Sequence, residues 1–174
     1  MNAQNSSKDL EGLLVVTVEQ AVAAPYTSCR LADAGARVIK IERPEGDFAR
    51  NYDSNALGNS AYFVWLNRGK ESIALDLKNK EDMVIFENII SKSDILIQNL
   101  APGAFERLGL DLKELRLKYP ALITCSISGF GDDGPYKKQK AYDMLIQAET
   151  GVIDITGLPD KEGFDGRAKV GPSV

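Results

Sequence analysis

Strand-like and helix-like segments alternate along this chain, which predicts an α/β fold: a mostly parallel sheet with helices on both faces. Three observations carry the prediction. Short runs rich in β-branched residues recur from Leu13 to Ser128, apolar residues at helical spacing lie between them, and the chain opens on a strand–helix–strand unit.

The elements follow in order. Residues 1–12 are polar and read as a disordered lead-in. Leu13–Val18 (LLVVTV) is a buried strand. Pro25 opens a helical stretch over Tyr26–Ala36, with Gly35 near its end, and Arg37–Glu42 (RVIKIE) is the second strand. Residues 43–61 carry Pro44, Gly46, Asn51, Asn55 and Gly58 and read as one long loop, a length usually associated with function. Ser72–Leu77 is a third strand. Lys80–Ser91 is a helix with Met83, Val84, Phe86, Ile89 and Ile90 on a helical repeat, and Asp94–Gln98 is a fourth strand. Ala104–Leu108 and Leu112–Lys118 are helices, the second ended by Tyr119-Pro120, because a residue before proline disfavours the helical region. Leu122–Ser128 is the fifth strand, Ala141–Thr150 a helix closed by Gly151, and the remainder is loop-like. The run Leu158–Val174 has no closing element, so the sequence is expected to be cut rather than finished.

Composition narrows the function. The chain has 174 residues, 44% apolar and 26% charged, with a net charge of −4, which argues against a basic nucleic-acid face but not against a small anionic ligand. No apolar stretch approaches bilayer length, so no membrane partner and a cytoplasmic location are expected. Cys29 and Cys125 form no CxxC, which fits a reducing compartment; Cys125 in its apolar run reads as a small buried side chain. There is no histidine, which excludes His-based metal sites, triads and bases within this sequence. No metal is predicted.

Gly129-Phe130-Gly131-Asp132-Asp133-Gly134 spells G-x-G-x-x-G after a strand, but Pro135-Tyr136-Lys137-Lys138 follows instead of a helix start, and two aspartates stand where a pyrophosphate would dock. A nicotinamide or flavin site is therefore rejected there. The first strand–helix turn, Gln20-Ala21-Val22-Ala23-Ala24-Pro25, has small residues that suit either close approach of a ligand or tight helix–sheet packing. Arg43, Lys78 and Arg107 each fall beyond a strand. In a parallel sheet those strand ends share one edge, where ligands bind, so the three cations together predict a phosphate-rich ligand, although each alone reads as a surface charge. Asp143 reads as a helix-start acid or a catalytic acid.

Taken in order, several stretches carry a resemblance. They are Ala23-Ala24-Pro25, Leu31–Ala36, Val38–Arg43, Asn67–Lys78, Gln98–Gly103, Arg107–Leu110, Ser126–Pro135 and Ala141-Tyr142-Asp143. Together they resemble the class III coenzyme A transferases, the carnitine dehydratase/bile-acid-inducible family, from about Leu10 to the end. The resemblance implies that residues 13–174 are the N-terminal part of a Rossmann-like large domain, incomplete here, with the small domain absent. It implies interlocked homodimers when full length, a coenzyme A thioester and carboxylic acids as substrates, and no further cofactor.

By position it implies that Arg43, Leu75, Lys78, Asn99, Leu100, Ala104, Arg107 and Lys140 contact coenzyme A, with Ala21 and Val22 lining it. It also implies an aspartate nucleophile one or two residues beyond Val174, after Val170-Gly171-Pro172-Ser173-Val174, so that this chain alone is inactive. Racemases of the same fold place a histidine where Tyr142 stands; tyrosine, with an ordinary pKa near ~10, is a poor base at neutral pH. The competing expectations are a 2-methylacyl-CoA racemase, a non-catalytic coenzyme A-binding module and a nicotinamide oxidoreductase. The loop 43–61 is a candidate border of the acyl pocket.

Overall fold

A computed structural model describes residues 8–156, in two units divided after Ile127. In the first unit, five parallel strands form one sheet in the order β3-β2-β1-β4-β5. They are β1 (Leu14–Val18), β2 (Arg37–Glu42), β3 (Lys70–Ala74), β4 (Ile95–Gln98) and β5 (Ile123–Ser126). The chain steps outward from β1 to β3, then returns to lay β4 on the other side of β1, so the order reverses between β1 and β4.

Helices cover both faces. α1 (Ala23–Asp33) buries Ala24 against Val15 and Val38. On the opposite face, α3 (Lys80–Ile90), α4 (Ala104–Arg107) and α5 (Leu112–Lys118) bury Phe86, Ile90, Phe105 and Leu115 against Val16, Val18, Ile41 and Leu96. The alternation along β1, Val16 and Val18 to one side and Val15 and Thr17 to the other, follows from the two-residue period of a strand.

Four expectations needed correction. First, α1 begins at Ala23, so Pro25 is its third residue; first-turn amides have no partner within the helix, so the missing N–H does no harm there. Second, β3 runs over Lys70–Ala74, and Leu75 and Leu77 leave it to enter the core. Third, residues 43–61 are not one loop. Asp47 caps a 3-10 turn over Phe48–Asn51, and Ser60 caps an unforeseen helix, α2 (Ala61–Asn67). The half-buried Asp53 side chain organises the stretch between them, accepting from the Ala61 and Asn55 amides, and these bonds lower its pKa. Fourth, part of the supposed lead-in is tied down: Leu10 donates its amide to Ala34 O and packs on the α1 side of the sheet.

The second unit contains the glycine run, α6 (Asp143–Glu149) and a short α7 (Val152–Ile155) where loop was expected. Gly131 and Gly134 are left-handed, and turns rather than a helix follow Gly134, as the rejection of a dinucleotide motif requires. No described helix is long and apolar enough to cross a membrane. Residues 1–7 and the stretch Leu158–Val174 lie outside the described residues.

Candidate functional site

At the carboxyl ends of β1 and β2, and along the segment leaving β3, lies a cleft of about 150 Å³. Val18, Ile41, Leu75, Leu77, Leu100 and Leu108 give it an apolar lining; Gln20, Arg43, Gly46 and Asp76 add polar groups, and the acids Glu19, Glu42 and Asp47 complete the wall. Of the expected coenzyme A contacts, Arg43, Leu75 and Leu100 line it. Lys78 and Arg107 are exposed neighbours in sequence of the lining residues Leu77 and Leu108.

Among the described residues none of the three cations, Arg43, Lys78 and Arg107, has a carboxylate partner. Arg43 Nε donates to Gly46 O at 3.0 Å, and Arg107 lies over Gly103, where a Cβ would come within 2.9 Å of its Nη1. Both guanidinium groups therefore keep donors for a ligand.

The other expected contacts have different settings. Asn99 does not line the cleft; its side chain clamps the first turn, accepting from Gln20 N and donating to Gln20 O, both at 2.9 Å. Ala21 and Val22 form the rest of that turn, Val22 as the residue before α1. Ala104 is the first residue of α4. Lys140 is exposed and belongs to the second unit. There too, Tyr142 is exposed and Asp143 is the first residue of α6, accepting from Gln147 at 2.6 Å, as a helix-start acid does.

Beneath the first turn lies a buried ionic cluster that the sequence reading missed. Lys40 pairs with Asp47 at 2.7 Å and Lys70 with Glu19 at 2.8 Å, all four side chains no more than 2% exposed. Asn67 Oδ1 accepts from both ammonium groups, and Ser28 donates to Glu19. Burial pushes the Lys70 pKa down, against the pull of Glu19. Beside them, Glu42 takes Arg50, Ser72 and the Asp47 amide. Burial raises the Glu42 carboxyl, but these hydrogen bonds and the nearby Lys40 outweigh it and hold it down to about 2. Thr17 Oγ1, also buried, has no partner among the described residues.

A signal for this cluster was present. A strand in the middle of a parallel sheet is normally apolar throughout, so Lys40 and Glu42 within RVIKIE must be buried and paired. Among the described residues no group of three or more His, Cys, Asp or Glu is placed to hold a metal.

The fold and site define an α/β protein with a cleft at the carboxyl edge of a parallel sheet. The sequence profile of CoA-transferase family III matches residues 10–174. The chain belongs to that family. It is 44% identical over 151 residues to an acetyl-CoA:oxalate CoA-transferase of Acetobacter aceti, and 38% identical over 165 residues to a succinate–glutarate CoA-transferase of Agrobacterium fabrum. These alignments cover 86% and 90% of this chain but 39% and 41% of the relatives, so the chain spans about two fifths of their length. A crystal structure of a CaiB/BaiF family protein from Brucella suis superposes with a TM-score of 0.85 at 38% identity, over 95% of this chain and 44% of that one.

Proposed function

We propose that this chain carries a coenzyme A-binding part of a CoA-transferase that moves coenzyme A between carboxylic acids. The observation that carries the reading is the apolar cleft at the strand ends, rimmed by Arg43 with Lys78 and Arg107 beside it, in a chain of this family. Phosphates would meet these cations, and the apolar lining would take the uncharged part of the coenzyme. Asn99, Ala21 and Val22 would shape the edge, with Ala104 at the start of α4; for Lys140 only the family resemblance supports a coenzyme A contact.

The proposed chemistry uses an aspartate nucleophile, which the resemblance to class III coenzyme A transferases would set just beyond Val174. Its carboxylate attacks the thioester carbonyl, forming an acyl–aspartyl anhydride and releasing the coenzyme A thiolate. The thiolate attacks the aspartyl carbonyl, freeing the donor acid and leaving an aspartyl thioester. The acceptor carboxylate attacks in turn, forming a second anhydride and releasing the thiolate again. The thiolate then takes the new acyl group and frees the aspartate. Two easier exchanges replace one hard one. Residues 1–174 alone would bind coenzyme A without turnover, and the working form would be a cytoplasmic homodimer. The relatives named above act on oxalate, succinate and glutarate by name, which supports a short dicarboxylate as one of the acids. With Tyr142 where the racemases have histidine, transfer is favoured over racemisation.

The test uses the full-length protein with acyl-CoA donors and acceptor acids of two to five carbons. Exchange that needs the acceptor supports the reading; racemisation without acceptor, or coenzyme A binding without turnover, replaces it. Arg43→Ala, Lys78→Ala and Arg107→Ala are each expected to weaken coenzyme A binding by about tenfold, the order of one charge-assisted phosphate contact. The weakening should shrink for dephospho-coenzyme A wherever the lost contact is to the 3′-phosphate.

A further inference from the structure

Ala21, in the turn between β1 and α1, is held at φ +64°, a left-handed conformation that costs free energy in any residue but glycine. Its amide donates to Asp47 Oδ1 at 3.2 Å. The same oxygen accepts from Ala49 N at 2.9 Å, while Asp47 Oδ2 takes Lys40 Nζ at 2.7 Å. Asp47 is itself fixed: its amide donates to Glu42 Oε2 at 2.9 Å. The residue before it, Gly46, lines the cleft at φ +81° with Arg50 Cδ only 3.1 Å from where a Cβ would stand. The Asp47 carboxylate is thus divided. One oxygen neutralises a buried lysine, and the other orients two backbone amides, one of them next to the cleft residue Gln20.

We infer that Asp47 is a positioning residue for the ligand: anchored by Lys40, it holds Ala21 in its left-handed turn and so fixes the backbone edge against which coenzyme A lies. The inference rests on the coenzyme A reading above. A buried ion pair serving stability alone has no need of the bond to Ala21, and an apolar pair of similar volume would serve as well.

Two double variants of the full-length protein separate the roles. Lys40→Met/Asp47→Asn and Lys40→Met/Asp47→Leu both delete the buried charges, but only asparagine keeps an oxygen for the Ala21 amide. Coenzyme A binding is measured by calorimetry. The asparagine variant is expected within about twofold of wild type and the leucine variant about tenfold weaker, the order of one lost hydrogen bond. Adding Ala21→Gly to the leucine variant should recover most of the loss, since glycine enters the left-handed region freely. A purely structural defect would not be repaired there.

Equal affinities for the two double variants, or no recovery with Ala21→Gly, overturn the inference while leaving the coenzyme A reading intact. A wild-type protein that does not bind coenzyme A overturns both. Should the leucine variant fail to unfold cooperatively, Ala21→Pro decides. It removes the donor and forbids positive φ without touching the ion pair, and unchanged affinity in that variant overturns the inference.

Discussion

On the side of the sheet that meets α3 and α5, Val16, Val18, Ile41 and Leu96 close on Phe86, Ile90 and Leu115 in a continuous apolar core. On the side that meets α1, Val15 and Val38 share their layer with Thr17, Glu19, Lys40 and Glu42, every one of them buried. The same strands supply both faces, by alternation. The first face is held by area removed from water, which is undirected and forgiving of shape. The second is held by matched partners at fixed distances, where each group depends on another. The directional face is the one beneath the turn that borders the cleft. Apolar packing thus sets the layers, while polar pairing sets the backbone where the ligand is proposed to lie.

The largest test of this contrast is Lys40→Met. It leaves the Asp47 carboxylate buried without its cation and should cost about 3–5 kcal/mol in chemical denaturation. The double change Lys40→Met/Asp47→Leu should cost less than that single one. Additive costs would mean the two faces are held alike.

Next comes acid sensitivity. The Glu42 carboxyl, ordinarily at 4.5, is held at about 2 in the fold. Its contribution to stability is therefore complete above pH 4.5 and disappears as pH falls through about 2. Glu42→Gln forgoes that contribution at neutral pH. Its stability curve should be flatter over this range and meet the wild-type curve at the acid end; parallel curves would remove Glu42 from the account.

The smallest effect belongs to the apolar face. Ile90→Val removes one buried methylene and should cost about 0.5–1.5 kcal/mol with no pH dependence.

The apolar face was legible in the sequence because burial by area leaves a periodic trace: Phe86, Ile89 and Ile90 recur at helical spacing, and the strands are β-branched runs. The charged face left a single mark, Lys40 and Glu42 inside a mid-sheet strand, while Glu19 and Lys70 look in sequence like any solvated residue. What buries them is contact across 7 residues for Lys40–Asp47 and 51 for Lys70–Glu19. α2 escaped notice for another reason. Ala61–Asn67 (AYFVWLN) is apolar almost throughout, so it shows no amphipathic rhythm, and its polar neighbours on the N-terminal side resemble loop.

Of the cleft, the cations after strands were readable from the rule that parallel strands gather their carboxyl ends at one edge, and Arg43 does line it. Leu75, Leu100 and Asn99 came from family resemblance alone. The structure puts the two leucines in the lining and gives Asn99 to the Gln20 backbone. Asp47 came from neither, because its role depends on a backbone angle at Ala21 that no residue type announces.

The clamp on residues 20 and 21 has a thermodynamic consequence. Ordering a residue's backbone costs about 1–2 kcal/mol of conformational entropy. Here Asn99 grips Gln20 from one side and Asp47 grips Ala21 from the other, so that entropy is surrendered when the chain folds. A ligand arriving at this edge would not meet that ordering cost again, so a larger share of its contact energy would appear as affinity.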